Sequence, residues 1–168
     1  MTALEDRLAK IRAALRERDD SARYGSIPPG LTGEAPDVPE SYLDFLRVAN
    51  GAFCGAIVLF GYPTVSEMQY YVETAAEYYP DSVGASAPDW YCVGTVVDDP
   101  YLLNRRTAEV WHFPDVGLPW TFGGRFERLA ESIEEFVLRY AMGDRYSTQA
   151  TWERSPWLAT LRRLSLHD

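Results

Sequence analysis

The chain has 168 residues, of which 46% are hydrophobic, and a formal net charge of −9. That length and apolar content predict one domain, residues 1–168, with a core of its own. The acidic balance and the lack of clustered Lys/Arg exclude a binder of nucleic-acid backbone, and no run approaches the ~20 apolar residues of a membrane helix. The N-terminal residues are charged and lack the apolar core of a secretion signal, so the expected location is cytoplasmic, away from membranes.

Residues 3–18 read as a surface helix, because Leu4, Leu8, Ile11 and Leu15 make one narrow apolar stripe among charges. Ser21 to Asp37, rich in Gly and Pro, reads as an irregular surface connection. A second helix opens at Pro39, which suits a first turn where its missing N–H has no partner. Its apolar face is Tyr42, Leu43, Leu46 and Ala49, and Asn50-Gly51 ends it. The continuous apolar run Phe53–Tyr62 predicts a buried strand.

Thr64 and Glu67 have the spacing of a capping box, which predicts a third helix over Val65–Tyr79. On it Met68, Tyr71, Val72, Ala75 and Tyr79 should face the core, and Glu67, Tyr70, Thr74 and Glu77 should face solvent. Trp90 to Val97 reads as a strand in which Gly94 marks a bulge or a close backbone approach. Tyr101–Leu103 and Glu109–Phe113 read as arms of a hairpin around Asn104–Ala108. After a loop from Pro114 to Gly124, Ser132 and Glu135 open a helix with a stripe of Ile133, Phe136, Val137 and Tyr140, and Gly143 stops it. In the tail, Ser155-Pro156 marks the start of a last short helix carrying Leu158, Leu161 and Leu164. Helices at the ends and strands in the middle predict an α+β domain.

One stretch stands apart in its chemistry. From Val48 to Asn104 there is no lysine or arginine, but there are seven carboxylates and ten aromatic residues. An acidic surface with tyrosines attracts basic partners, so this stretch speaks to binding. Little points to catalysis. His167 is next to the last residue and His112 lies in a strand, where a structural histidine is the ordinary reading. Cys54 and Cys92 sit in apolar runs as small buried side chains. No zinc, phosphate-loop or nucleophile motif occurs, and no cofactor is expected. Asp98-Asp99 is only a fragment of a cation loop, and a turn beside Pro100 explains it more simply.

Three segments, in order, resemble the SMI1/KNR4 (SUKH) superfamily. They are VPESYLDFLRVANG (Val38–Gly51), CVGTVVDDPYLLNRRTAEVWHF (Cys92–Phe113) and FERLAESIEEFVLRY (Phe126–Tyr140), the last similar to the closing helix of that family. The match spans about residues 38–140. The N-terminal helix at 3–18 and the tail at 144–168 are additions to it. Val38, Asn104 and Ala108 depart from the usual leucine, aspartate and glycine.

The resemblance implies an α+β domain with a central, largely antiparallel sheet flanked by helices. It also implies a non-catalytic protein-binding role. Bacterial members are commonly immunity proteins that neutralise a toxin, and other members act as adaptors or regulatory scaffolds. The expected partner is therefore a protein, foremost a cognate toxin with a basic surface, with the adaptor role as the alternative. Glu67, Tyr70, Thr74, Glu77, Asp98 and Asp99 are the candidate contact residues.

Overall fold

A computed structural model describes residues 1–151 and 156–167. Its spine is a seven-stranded sheet in which every strand lies beside its neighbour in sequence, β1-β2-β3-β4-β5-β6-β7, and every pairing is antiparallel. Helices flank this meander, and the buried apolar side chains form one cluster running from Leu4 to Leu161. The protein is thus a single α+β domain, as the distribution of helix and strand signals predicts.

Helix α1 (Ala3–Arg16) begins with a capping box: the Thr2 hydroxyl accepts from the Glu5 N–H and the Glu5 carboxylate accepts from the Thr2 N–H. Leu8 and Ile11 are fully buried, so the helix is part of the core. Arg7 on its other side donates to the carbonyls of Leu138 and Met142 at 2.8 and 2.5 Å.

The 21–37 connection is less irregular than its Gly/Pro content suggests. Residues Ser21–Arg23 form a 3-10 turn, and β1 (Gly25–Ser26) pairs with β2 (Ala52–Cys54). Tyr24, Ile27 and Ala35 are buried, so the segment is a sheet edge as well as a surface connection.

Helix α2 (Glu40–Val48) follows Pro39, which stands at the cap rather than inside the first turn. Tyr42, Phe45 and Leu46 are its buried residues, with Leu43 only half-buried. Gly51 then takes φ +88°, a conformation that favours glycine, and the Asn50 side chain bonds both the N–H and the carbonyl of Tyr62.

The apolar run Phe53–Tyr62 is not one strand. It is a hairpin of β2 and β3 (Ile57–Leu59), because Gly55 adopts φ +63° and turns the chain back at Ala56. The expected third helix is likewise two, α3 (Thr64–Glu67) and α4 (Tyr70–Tyr78), and α3 has no side-chain cap. The break at Met68–Gln69 has a tertiary cause. Gln69 Nε2 donates to the carbonyls of Val65 and Cys92, and its Oε1 accepts from the Cys92 N–H. The amide thereby serves backbone groups of β4 (Trp90–Val96) where the sheet register shifts between Cys92 and Gly94.

Both readings of Gly94 hold: it adjoins that bulge, and a Cβ there would stand 2.2 Å from the Val58 carbonyl oxygen. Strands β5 (Asp99–Asn104) and β6 (Val110–His112) make the expected hairpin. The Asn104 side chain accepts from the N–H groups of Arg106 and Thr107, and Ala108 takes φ +64° where glycine would be easier.

The segment Phe126–Tyr140, which the resemblance likens to a closing helix, contains a strand ahead of the helix that Ser132 opens. Residues Glu127–Ala130 form β7, paired to β6, because the edge of β6 supplies partners that outweigh a weak local preference. Helix α5 (Ile133–Glu135) starts where predicted, with the Ser132 hydroxyl accepting from the Glu135 N–H. Its box is not closed, since the Glu135 carboxylate accepts from the Glu131 N–H instead. The helix widens to a π-helix over Phe136–Ala141, with Tyr140 only half-buried. At Gly143 a Cβ would meet the Leu138 oxygen at 2.0 Å, which is why a glycine closes the segment. Helices α6 (Tyr146–Gln149) and α7 (Pro156–Arg163) complete the chain. Of the expected helix start at Ser155-Pro156, Ser155 lies outside the described residues.

Candidate functional site: an aromatic patch on an acidic face

Burial separates the tyrosines of α4 and of its C-cap, Tyr79. Val72, Ala75 and Tyr79 face the core, Tyr71 is half-buried, and Tyr70 and Tyr78 are 50% and 44% exposed. Opposite them runs the 114–124 loop, which fastens to α4 through aromatic contacts. Trp120 packs against Tyr71, Tyr79 and Phe113, and Phe122 meets Tyr78 edge-on at 5.5 Å between ring centroids. The Tyr79 hydroxyl donates to the Trp120 carbonyl.

This packing leaves an unusual surface. Apart from Met1, the large apolar side chains exposed among the described residues are Tyr70, Tyr78, Val97, Val116, Leu118 and Phe122. All lie on α4, on the 114–124 loop, or at the turn between β4 and β5. Phe122 is 65% and Leu118 57% exposed, positions at which water contact is unfavourable unless something covers them.

Carboxylates surround these side chains. Glu67 ends α3, Glu73 and Glu77 are exposed on α4, Asp98 is exposed in the β4–β5 turn, and Asp115 is exposed in the loop. Among the described residues none of these five forms a salt bridge, whereas Glu40, Asp44, Glu109 and Glu135 each pair with an arginine. Among the described residues, then, no ion pair neutralises the negative charge of this face.

The residues singled out from sequence divide accordingly. Tyr70 and Glu77 project from α4 as expected. Glu67 is exposed but belongs to α3, so the break at Gln69 removes it from the helical face it was assigned to. Thr74 is half-buried and its hydroxyl donates to the Tyr70 carbonyl at 3.0 Å, which makes it a helix-surface residue with its donor already used. Asp98 lies close enough to Tyr71 for its charge to be felt there, and Tyr71 stacks on Tyr70 at 4.6 Å. Helix and turn thus share one face. Burial pushes the Tyr71 phenol well up, and Tyr70 and Asp98 act in the same direction.

Asp99 differs from Asp98. It is half-buried at the start of β5 and lines a pocket of about 430 Å³ with His112, Asp115, Thr148 and Gln149. Burial, then the charges of Asp115 and Asp98, push its carboxyl up to about 6. Burial lowers the His112 imidazole, against the raising influence of Glu127 and Gln149. Burial also raises both thiols, Cys92 to about 12, which keeps them unreactive. Among the described residues no group of three or more His, Cys, Asp or Glu side chains is placed to hold a metal ion, and no helix is long and apolar enough to cross a membrane.

Sequence reasoning did not find Tyr78, Val97, Val116, Leu118 or Phe122. The available signal was the wealth of large apolar residues in the Gly/Pro-rich segment PDVGLPWTFGG, which cannot all be buried by a loop so short. No family model matches the chain, and no curated protein matches it in sequence.

Proposed function

We propose that this chain is a non-catalytic protein-binding domain that receives a basic partner on the face formed by α4, the 114–124 loop and the β4–β5 turn. The observation that carries this reading is the coincidence of two properties in one place: the exposed large apolar side chains and the unpaired carboxylates. Aromatic side chains at the centre of an interface supply most of its affinity once desolvated, and surrounding charge speeds association with a partner of opposite sign.

The partner we propose is a cognate toxin, which the chain would neutralise as an immunity protein of the SMI1/KNR4 kind. The three resembling segments and the α+β architecture expected from them support this reading. In it, Tyr70, Tyr78 and Phe122 are anchors, and Glu67, Glu77 and Asp98 steer.

The test asks whether a toxin gene lies immediately upstream of this one and, where it does, uses its product. Co-expression should protect cells from it, and Glu67→Lys, Glu77→Lys and Asp98→Lys together should slow association at low salt by about tenfold or more. Unchanged association kinetics would remove this face as the site. Failure to protect, with binding instead to a regulatory protein of the host, would favour the adaptor role.

A further inference from the structure

A groove beside the β1 edge of the sheet has the opposite charge. It runs between α1 and residues 21–30, has a volume of about 700 Å³, and is lined by Arg12, Arg16 and Arg18 with the hydroxyls of Ser21 and Ser26. Leu15 and Ile27 give it an apolar floor, and no carboxylate belongs to its lining. In a chain of net charge −9, three guanidinium groups in one concavity without a carboxylate need an explanation.

Arg12 is fixed in place. Its Nε donates to the Ile27 carbonyl at 3.1 Å, and an Nη2 donates to the carbonyls of Pro28 and Val48 at 2.6 and 2.9 Å. Those acceptors are neutral, so its positive charge is oriented but uncompensated. Arg16 stands one turn further along α1, and like charges at that spacing oppose each other. Burial first, and then the Arg16 charge, pull the Arg12 guanidinium down. Among the described residues neither Arg12 nor Arg16 forms a salt bridge, and Arg18 reaches only the exposed Asp20 at 3.2 Å. Behind them the Tyr24 hydroxyl, close enough to Arg18 for the two to interact, is buried without a hydrogen-bond partner.

We infer that this groove binds a small ligand carrying two or more oxyanion charges, phosphate or carboxylate. Arg12 forms the fixed base of the site, and Arg16 and Arg18 close on the ligand from its rim. Guanidinium groups present paired donors matched to the oxygens of either anion, and the volume lies in the range of small-molecule sites. The site is remote in sequence from the acidic face and does not depend on the partner proposed for it.

Inorganic pyrophosphate and citrate are the probes, titrated separately into the full chain at low ionic strength and followed by amide NMR. Saturable shifts confined to residues 12–30 with either probe support the site, and the stronger of the two identifies the anion. Arg16→Glu with Arg18→Glu should weaken binding by about tenfold or more with an unchanged melting temperature. Arg12 is left intact because it also ties three backbone carbonyls together. Saturation by neither probe, or binding undiminished in the double variant, would overturn the inference.

Discussion

The Tyr79 hydroxyl donates to the Trp120 carbonyl while the two rings lie parallel, 4° apart and 6.5 Å between centroids. One buried side chain at the C-cap of α4 thereby holds the loop that displays Phe122. Tyr79→Phe keeps the ring and removes the bond, leaving a carbonyl without its donor. Urea denaturation should show a loss of about 1 kcal/mol, and hydrogen exchange in the 114–124 loop should quicken. Unchanged exchange there would show that ring packing alone holds the loop.

Phe122 tests the difference between display and support. It is 65% exposed, so Phe122→Ala should move stability by no more than about 0.5 kcal/mol. Affinity for the partner should fall by about 2 kcal/mol if the ring is an anchor. Thermal melts and titration calorimetry on the same preparation separate the two effects.

Asp99 gives stability a dependence on pH of defined sign. Its carboxyl is raised to about 6 in the folded chain from an ordinary value of 3.8. A raised carboxyl favours the neutral form in the fold. Its contribution is complete below the ordinary value and is lost as pH rises through about 6. Asp99→Asn removes the ionisation, so the melting temperature of the variant relative to the parent should be higher at pH 8 than at pH 4. A difference that does not vary between those two pH values would show that Asp99 is not held in this way.

Two glycines that look alike in sequence should behave oppositely. A Cβ at Gly94 would stand 2.2 Å from the Val58 oxygen of the neighbouring strand, whereas a Cβ at Gly33 would meet nothing within 4 Å. Gly94→Ala should cost about 3 kcal/mol or more by breaking the β3–β4 ladder. Gly33→Ala should be neutral or stabilise by about 0.4–1 kcal/mol through the unfolded chain. Circular dichroism melts of the two variants are sufficient.

The N-terminal helix was an addition to the resembling region in sequence, yet Leu8 is fully buried in the common core. Leu8→Ala should therefore cost about 2–5 kcal/mol in urea denaturation. A loss below 1 kcal/mol would mean that the helix packs as an appendage.

What the sequence made legible depended on whether local chemistry and tertiary packing agreed. Leu4, Leu8, Ile11 and Leu15 announce α1 because an amphipathic helix writes its buried stripe into its spacing. The β5–β6 hairpin shows itself through a turn that Asn104 caps with its own side chain. The readings failed where a distant partner decided. Glu127–Ala130 has charges and no β-branched residue, and becomes a strand only because β6 is beside it. Gln69 breaks a helix-compatible stretch because the Cys92 backbone, far off in sequence, needs its amide.

The candidate surface was half legible for the same reason. Tyr70 and Glu77 follow from helical phase, which fixes the outward direction. Loop residues have no phase, so nothing local distinguishes exposed Phe122 from half-buried Trp120.

The strictly sequential order of the sheet bears on how the chain comes to be folded during synthesis. Each strand finds its neighbour already made, so the meander can grow in the direction of translation without waiting for distant segments. The bonds from Arg7 to Leu138 and Met142 span 131 and 135 residues, and they are the opposite case. Until Met142 has left the ribosome, Arg7 lacks the two carbonyls that tie α1 to the π-helical segment. Helix α1 is thus tied to nearby residues 27, 28 and 48 through Arg12, but to residues 138 and 142 only once most of the sheet exists.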